Sequence, residues 1–333
     1  MAKQKIIPIF VPHLGCPCAC VFCNQRRISG VTAETTADMV KSEIEAALER
    51  IGSEAAQVAF YGGSFTAIDT EKQESLLAAA HEYVKAGKVT SIRISTRPDA
   101  IDEDVISRLK RYCVDTVELG CQSMNDEVLR LSKRGHDGAV CEKAAMMLKN
   151  AGFKVILQIM TGLPGDDGSQ SLETAARVVD IKPDGVRIYP TVVVRDTELF
   201  DLWEAGVYKE HTVNDAVELC AVLCGLFDKA GIPIIRLGLN PTEELSGGAA
   251  AAGAYHPALG ELVRSRMWLK RLRQLLDGKE LPQDIVITVP KGAVSLCVGQ
   301  KKANIECLKS EYGLRSIKIR ESDRSNGDIS LHF

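Results

Sequence analysis

Short apolar runs alternate with longer amphipathic segments through residues 5–190 of the chain. Six runs are continuous enough to be strands buried on both faces, at residues 6–11, 57–61, 91–96, 116–119, 155–160 and 185–189. Five segments between them place apolar residues at helical spacing, at residues 34–51, 71–86, 102–112, 138–151 and 169–181. This alternation predicts an α/β fold whose six βα units form a barrel or an open, curved sheet. In such folds functional residues collect at the carboxyl ends of the strands.

The pattern becomes mainly helical after residue 190. It predicts a helix at 213–230, a strand at 234–237, a Gly/Ala-rich loop at 247–255 and a basic helix at 261–276. A compact pattern follows, with strands at 285–289, 316–320 and 329–333, helices at 292–298 and 303–312, and a loop at 299–302. We therefore expect three parts: a partial barrel at 1–240, a loop and linker helix at 241–282, and a small α+β domain at 283–333.

Composition and charge fit a globular protein with a distinct tail. The 333 residues are 45% hydrophobic and 26% charged, and neither a membrane span nor a secretion signal is evident, so we expect a cytoplasmic protein with no membrane partner. Residues 260–333 contain 14 Lys and Arg against 9 Asp and Glu, which gives the tail +5 and the rest of the chain −8. A basic tail favours a polyanionic partner, although solvated faces also produce such differences.

Four cysteines stand within eight residues just after the first predicted strand: Cys16, Cys18, Cys20 and Cys23. Disulfides are disfavoured, because such short spacings bridge poorly and the chain lacks a secretion signal. Structural zinc sites usually add a second ligand pair, and no further CxxC or HxxxH motif follows. The spacing Cys16-x3-Cys20-x2-Cys23 supplies three thiolates and leaves one coordination position open, as in a catalytic metal centre.

This loop, with Phe22 before its last cysteine, resembles the signature loop of radical S-adenosylmethionine (SAM) enzymes. The resemblance implies a partial (β/α)6 TIM-type barrel and a [4Fe-4S] cluster held by Cys16, Cys20 and Cys23, with SAM chelating the fourth iron. It also implies that Phe22 packs beside the cofactor, that Cys18 is a bystander, and that an electron donor such as flavodoxin or ferredoxin reduces the cluster.

A pair of glycines, Gly62 and Gly63, follows the second strand and permits a ligand to approach the backbone closely. A tight turn needs the same residues. Their position matches the family's glycine-rich motif, which binds the amino group of SAM. Ser64 departs from the acidic residue that is common next in the family, so we expect backbone carbonyls to contribute more.

Polar residues and a glycine at later strand ends are further candidates for cofactor binding: Arg97, Gln122, Ser123 and Gly162. Arg97 offers a planar fork for a carboxylate, and Gln122 and Ser123 suit ribose hydroxyls. Sequences similar to that around Gly162 contact adenine through main-chain groups in the family. Each of these residues could instead cap the following helix or form the turn that leads into it.

Together with the sequence Lys133-Arg134-Gly135-His136, these motifs narrow the resemblance to the radical domain of the Elongator catalytic subunit and its bacterial relatives, over roughly residues 5–240. Members of that group act on transfer RNA. The Elongator subunit carries an acetyltransferase domain after its radical domain, and here a short unit follows instead. Acetyl-CoA chemistry is therefore not expected from this chain.

The C-terminal pattern resembles a KH-type RNA-binding module, in which a GxxG loop clamps the nucleic-acid backbone between two helices. The corresponding loop here is Gly299, Gln300, Lys301 and Lys302, with Lys302 in place of the second glycine. That replacement adds positive charge that would face phosphates. A small α/β cap without an RNA role is the alternative.

Three functions compete at this point. The leading hypothesis is a radical SAM enzyme, a transferase that generates a 5′-deoxyadenosyl radical to modify RNA, with transfer RNA as the expected substrate. The alternatives are a radical SAM enzyme acting on a small metabolite or tetrapyrrole, and a metal-binding RNA adaptor without catalysis. Iron with sulfide would exclude a zinc adaptor.

Metal analysis tests the cysteine assignment. We expect about four irons per chain after anaerobic reconstitution, lost when Cys16, Cys20 and Cys23 are all changed to Ala, and an EPR spectrum that SAM perturbs. Zinc in place of iron, or a cluster whose spectrum is indifferent to SAM, would contradict the assignment.

Overall fold

The computed structural model describes residues 5–11, 20–24, 34–52, 55–240, 245–322 and 329–332. Its strands are β1 (Lys5–Phe10), β2 (Ala56–Tyr61), β3 (Ser91–Thr96), β4 (Val114–Gln122), β5 (Lys154–Thr161), β6 (Gly185–Pro190), β7 (Val192–Val194), β8 (Ile234–Leu237), β9 (Ala250–Gly253), β10 (Asp284–Val289), β11 (Ser316–Glu321) and β12 (Ser330–His332). The helices are α1 (Ala37–Ile51), α2 (Thr70–Lys85), α3 (Glu103–Arg111), α4 (Asp126–Leu131), α5 (Gly138–Asn150), α6 (Ser169–Ile181), α7 (Glu198–Glu204), α8 (Val213–Lys229), α9 (Leu259–Leu276), α10 (Val294–Val298) and α11 (Ala303–Tyr312).

Seven parallel strands form one curved sheet in the order β1-β2-β3-β4-β5-β6-β8. The α/β partial barrel expected from the sequence is confirmed, and β8 adds a seventh strand beside β6. Within the described ranges β1 and β8 do not pair, so the barrel stays open between its edge strands.

Alternation along the strands separates the two faces of the sheet. Ile94, Leu119 and Leu157 point toward the surrounding helices and are fully buried in one large apolar core. Their neighbours on the same strands include charged side chains, which face the concave interior. Because the strands run parallel, their carboxyl ends meet at one rim.

The helices of the barrel begin at side-chain caps that the sequence supplies. Asp69, Asp102, Asn125 and Asp137 each accept hydrogen bonds from amides of the first helical turn of α2, α3, α4 and α5. Such caps satisfy amides that lack intrahelical partners. They keep the loops between rim and helix short and fixed.

The Gly/Ala-rich stretch corrects one expectation. Instead of a loop throughout 247–255, residues Ala250–Gly253 form β9, which pairs antiparallel with β7. Gly253 has a φ of +90°, and a Cβ there would lie 2.8 Å from the Thr191 carbonyl oxygen. The small side chains therefore permit a close backbone pairing that composition alone does not predict.

A second apolar core lies in the C-terminal part and includes Leu272, Ile287 and Leu308. Helix α9 contributes to both cores, because Val263 near its start packs in the barrel core. The three-stranded sheet has the order β11-β10-β12, with β10 parallel to β11 and antiparallel to β12. The predicted order of strands and helices is found here, while the KH resemblance remains a prediction.

No helix among the described residues is long and apolar enough to cross a membrane.

Candidate functional site

Cys20 and Cys23 lie on one tight turn at the rim of the barrel, and Cys16 and Cys18 fall outside the described residues. The Cys23 amide donates to the Cys20 carbonyl at 3.0 Å. The intervening Val21 donates to the Ser132 carbonyl at 3.3 Å and accepts from the Leu199 amide at 2.8 Å. Main-chain bonds on both sides therefore hold the two thiols in place.

A buried guanidinium, that of Arg134, contacts this turn. Its Nη1 donates to the Cys20 Sγ at 3.3 Å and its Nη2 to the Gly120 carbonyl at 2.5 Å. Arg134 is 5% exposed, and its Nε has no hydrogen-bond partner in the part of the chain that the structure describes. The guanidinium therefore places a positive charge and a hydrogen-bond donor directly on the Cys20 sulfur.

The pair of thiols with this cation fits an iron–sulfur cluster. Across the described ranges, no group of three His, Cys, Asp or Glu side chains could hold a metal ion, and the third predicted ligand, Cys16, lies outside those ranges. The three-cysteine ligand set therefore remains a prediction.

Phe22 lies beside the cysteines and is partly buried. It packs on a small apolar cluster that includes Val21, Val193, Leu199 and Tyr208. This cluster anchors the turn to β7 and α7. The predicted contact of Phe22 with a cofactor stays a prediction.

The glycine pair sits where the ends of β1 and β2 meet. The Val11 amide donates to the Tyr61 carbonyl at 2.7 Å. Gly62 has a φ of +112°, and a Cβ there would lie 2.4 Å from the Val11 carbonyl oxygen. Only glycine fits this close approach, which places the Gly62-Gly63 backbone at the rim where the cysteine segment begins.

Arg97 lies at the end of β3 and is 2% exposed. Its Nε and Nη2 donate to the Asp99 carboxylate at 2.9 and 2.7 Å, and Nη2 also donates to the Arg134 carbonyl at 2.5 Å. Burial acts to raise the pKa of Asp99, but the hydrogen bonds and charge of Arg97 outweigh it and lower that pKa. The Arg97 guanidinium, which was predicted to bind a cofactor carboxylate, binds the Asp99 carboxylate of the chain itself.

Gln122 and Ser123 differ in the hydrogen bonds that their side chains make. Gln122 has a φ of +69° at the end of β4, where its Oε1 accepts from Gln158 Nε2 at 2.6 Å. The Ser123 hydroxyl accepts from the Asn125 amide at 3.1 Å and lies 3.2 Å from the Thr174 Oγ1. Ser123 thus serves the turn into α4, while Gln122 remains at the rim.

Gly162 follows β5 and approaches a histidine that the sequence analysis did not single out. A Cβ on Gly162 would lie 2.2 Å from the His211 ring, whose Nε2 is 3.2 Å from the Thr161 Oγ1. The Gly162 amide donates to Asp166 at 2.8 Å, and its carbonyl accepts from the Tyr208 hydroxyl at 2.6 Å. Both main-chain groups predicted to meet adenine are satisfied within the chain.

The concave face carries a charged network centred on Glu118, which is 4% exposed. Arg93 Nη1 lies 2.8 Å from its Oε1, and Arg187 Nε lies 2.8 Å from its Oε2. The Tyr61 hydroxyl donates to Glu118 at 3.1 Å, and the Arg187 guanidinium lies over the Tyr61 ring at 5.6 Å. Arg187 also donates to the Tyr189 hydroxyl at 3.1 Å. Two guanidiniums on one carboxylate leave this interior positively charged.

Burial and the charge of Glu118 raise the pKa of Tyr61 to about 12. Burial acts to lower the pKa of Arg187, but Glu118 outweighs it and raises that pKa. Both groups therefore stay protonated through the physiological range.

Sequence reasoning missed the network that Arg187 and Tyr189 join. The available signal was a charged residue inside a buried strand, as at Arg93, Glu118 and Arg187, each flanked by apolar residues on both sides. Such a residue points to the concave face when its neighbours point to the helices.

The predicted RNA loop lies away from the rim residues, between α10 and α11. Lys301 and Lys302 are exposed and have φ values of +51° and +65°. Gly299, at +76°, packs against Asn304, where a Cβ would lie 3.0 Å from the Asn304 side chain. Gln300 begins the short 3-10 turn that presents the two lysines.

Comparisons with known proteins identify relatives of this chain. The model of the Radical SAM superfamily matches residues 10–178, and that of the Radical_SAM C-terminal domain matches residues 183–268. The tRNA uridine(34) acetyltransferase of Methanocaldococcus jannaschii is 30% identical over 211 residues, 57% of this chain and 39% of that protein. Human Elongator complex protein 3 is 30% identical over 243 residues, 66% of this chain and 43% of that protein.

Among solved structures, the archaeal Methanocaldococcus infernus Elp3 with an N-terminal deletion superposes with a TM-score of 0.64 at 26% identity. The match covers 81% of this chain and 64% of that chain. This chain spans less than half the length of the two curated relatives named above.

Removing the central carboxylate tests the interior network. Glu118→Ala should lower the free energy of unfolding by about 3–5 kcal/mol, because it leaves two buried guanidiniums without a counter-charge. Glu198→Ala is the matched control, since its ion pair with Lys133 is exposed, and it should cost less than about 1 kcal/mol. Urea denaturation measures both, and equal losses would contradict the buried network.

Replacing the guanidinium beside Cys20 tests its influence on a bound cluster. Arg134→Gln should make the cluster's reduction potential more negative by about 60 mV, a tenfold change for a one-electron couple, because a donor and a positive charge near sulfur are lost. EPR-monitored potentiometry of the reconstituted protein without SAM measures this. Arg130→Gln, an exposed change on α4, should leave the potential unaltered, and an unaltered potential in Arg134→Gln would refute the contact.

Proposed function

The chain belongs to the radical SAM superfamily, and on that premise we propose that it is a transferase that modifies transfer RNA with a [4Fe-4S] cluster and SAM as cofactors. The observation that carries the proposal is the Cys20–Cys23 turn, held at the rim of the barrel with the Arg134 guanidinium on one thiol. The similarity to proteins named tRNA uridine(34) acetyltransferase and Elongator complex protein 3 supports RNA as the substrate.

In this proposal Cys16, Cys20 and Cys23 hold the cluster, and the backbone of Gly62 and Gly63 receives the amino group of SAM. When bound and reduced by a donor such as flavodoxin or ferredoxin, the cofactors supply a 5′-deoxyadenosyl radical that abstracts a hydrogen atom. The remaining rim residues position SAM. Gln122 is the better candidate for a ribose hydroxyl, since the Ser123 hydroxyl already serves the turn into α4.

Two predicted contacts require a rearrangement. Arg97 would have to exchange Asp99 for a cofactor carboxylate, and Gly162 would have to release Asp166 or Tyr208 to meet adenine. Arg134, which adjoins both Cys20 and the Gly120 carbonyl, is already placed toward the cofactors.

The interior network gives the proposed substrate pocket its charge. Arg93 and Arg187 share Glu118, so the floor of the barrel keeps a net positive charge that suits an anionic or strongly polar group. Tyr61 and Tyr189 line the same floor and place aromatic rings beside it.

The chain's own features support the RNA part of the proposal in the C-terminal unit. The exposed pair Lys301 and Lys302 projects from the loop that begins at Gly299, in the position expected for contacts with phosphates. Gln300 starts the same turn.

Release of 5′-deoxyadenosine tests the function. Reconstituted protein given SAM and dithionite should form 5′-deoxyadenosine, measured by chromatography with mass detection, and bulk transfer RNA should raise the yield. Cys20→Ala/Cys23→Ala should abolish it.

The outcomes separate the alternatives. Absence of 5′-deoxyadenosine with and without RNA would overturn the enzyme assignment and leave a metal-binding RNA adaptor. If 5′-deoxyadenosine forms but transfer RNA does not raise its yield, the RNA assignment is overturned and a small-molecule substrate is favoured.

A further inference from the structure

A groove of about 570 Å³ separates the edge strand β8 from helices α9 and α10. Three guanidinium groups line it, from Arg236 on β8 and from Arg264 and Arg271 on α9. Two carboxylates, Asp228 and Glu261, also line it, so its walls carry a net positive charge. The groove lies outside the rim that holds the cysteines.

The basic residues of α9 fall on two stripes that differ in their pairing. On one stripe the basic residues form ion pairs with acidic residues of α8 and α11: Arg266 and Lys270 share Glu218, and Arg273 pairs with Glu311. On the other stripe, which faces the groove, neither Arg264 nor Arg271 lies within ion-pair distance of any carboxylate of the described residues. Both are exposed. The guanidiniums of Arg264 and Arg271 can therefore bind an anionic partner, whereas the basic residues of the first stripe are already engaged in ion pairs.

An aromatic ring adjoins these guanidiniums. Trp268 lines the groove and packs partly on the second core, and the Arg271 guanidinium lies over its ring at 5.2 Å. Stacked planar groups of this kind accept an unpaired base, because every base has a π face. Guanidinium groups that can bind phosphates and an aromatic ring that can stack on a base therefore lie on the same face of α9.

Buried hydrogen bonds connect this helix to the lysine loop. Asn304 Nδ2 donates to the Ser265 carbonyl at 3.1 Å and to the Leu296 carbonyl at 3.1 Å. The Ser265 hydroxyl donates to the same Leu296 carbonyl at 2.9 Å, and Leu296 itself lines the groove. Asn304 also packs against Gly299, the first residue of the loop. Groove and loop are therefore held in a fixed relation through α9.

We propose that this groove binds an unpaired segment of the transfer RNA substrate, so that RNA follows a continuous path from the groove to Lys301 and Lys302. Arg236 and Arg264 contact phosphates, and the Trp268–Arg271 pair stacks on a base. The inference rests on the proposed function, since it extends the RNA surface of the same enzyme. Unpaired cations beside a planar stack favour nucleic acid over an acidic protein segment, which has no base to stack.

Binding of fluorescein-labelled transfer RNA, followed by anisotropy at several salt concentrations, tests the groove. Arg264→Gln/Arg271→Gln should raise Kd about tenfold and reduce the slope of log Kd against log salt by about 0.7, since the phosphate contact of Arg264 is lost together with the guanidinium that stacks on Trp268. Arg266→Gln/Lys270→Gln removes the same charge from the other stripe of α9 and should change neither quantity appreciably.

A second variant separates stacking from charge. Trp268→Leu retains apolar packing on the second core and should raise Kd about tenfold without altering the salt slope, because no counterion contact is lost. Circular dichroism and thermal unfolding of each variant confirm that the fold is retained.

The groove is excluded if Arg264→Gln/Arg271→Gln binds as the native protein does, or if the control variant loses as much affinity as the groove variant. Failure of the proposed function looks different, because native protein would then show no affinity for transfer RNA. Loss of binding in Lys301→Gln/Lys302→Gln alone, with the groove variants unaffected, would retain the RNA function and overturn the groove.

Discussion

A single buried guanidinium, that of Arg134, joins the parts of the rim on which the site depends. It donates to the Cys20 thiol and to the Gly120 carbonyl of β4, and its own carbonyl accepts from Arg97 after β3. Segments far apart in the chain are thereby fixed around one cation. Because an unsatisfied buried cation is costly, each of these contacts stabilises the others. The cysteine turn is consequently positioned by the sheet and not by its own loop alone.

On the concave face the shared central group is a carboxylate and not a cation. There a carboxylate, Glu118, is shared by Arg93 and Arg187, and the excess positive charge remains inside the barrel. This charged network explains why the strands are not purely apolar. The helix-facing residues supply stability, while the concave residues give the interior its charge.

Helix α9 couples the barrel to the C-terminal unit. Val263 packs in the first core and Leu272 in the second, so the helix is shared by both. One stripe of its basic residues forms ion pairs with neighbouring helices, and the other stripe faces the groove between β8 and α10. A helix fixed at both ends by apolar packing can present charge at a constant distance from the rim. The barrel core and the C-terminal core are therefore tied together through one helix.

Local patterns in the sequence determined most of the architecture. Apolar runs and helical periodicity located most of the strands and helices, although not the short strands β7 and β9, and Asp or Asn caps set several helix starts. The cysteine spacing indicated the family, since ligand spacing is itself a local property. Gly62 was singled out from the sequence as a glycine at a strand end that permits close approach to the backbone, and the structure shows such an approach by the Val11 carbonyl oxygen.

Contacts between distant segments were decided only by the tertiary structure. Periodicity could not show that Arg97 pairs with Asp99 and the Arg134 carbonyl, that His211 covers Gly162, or that Ala250–Gly253 pairs with β7. Arg93, Glu118 and Arg187 are likewise isolated charges in their strands until the parallel register brings them together. The sequence specifies which face each strand buries. Which side chains meet across that face depends on strand order, register and curvature, and these are properties of the whole sheet.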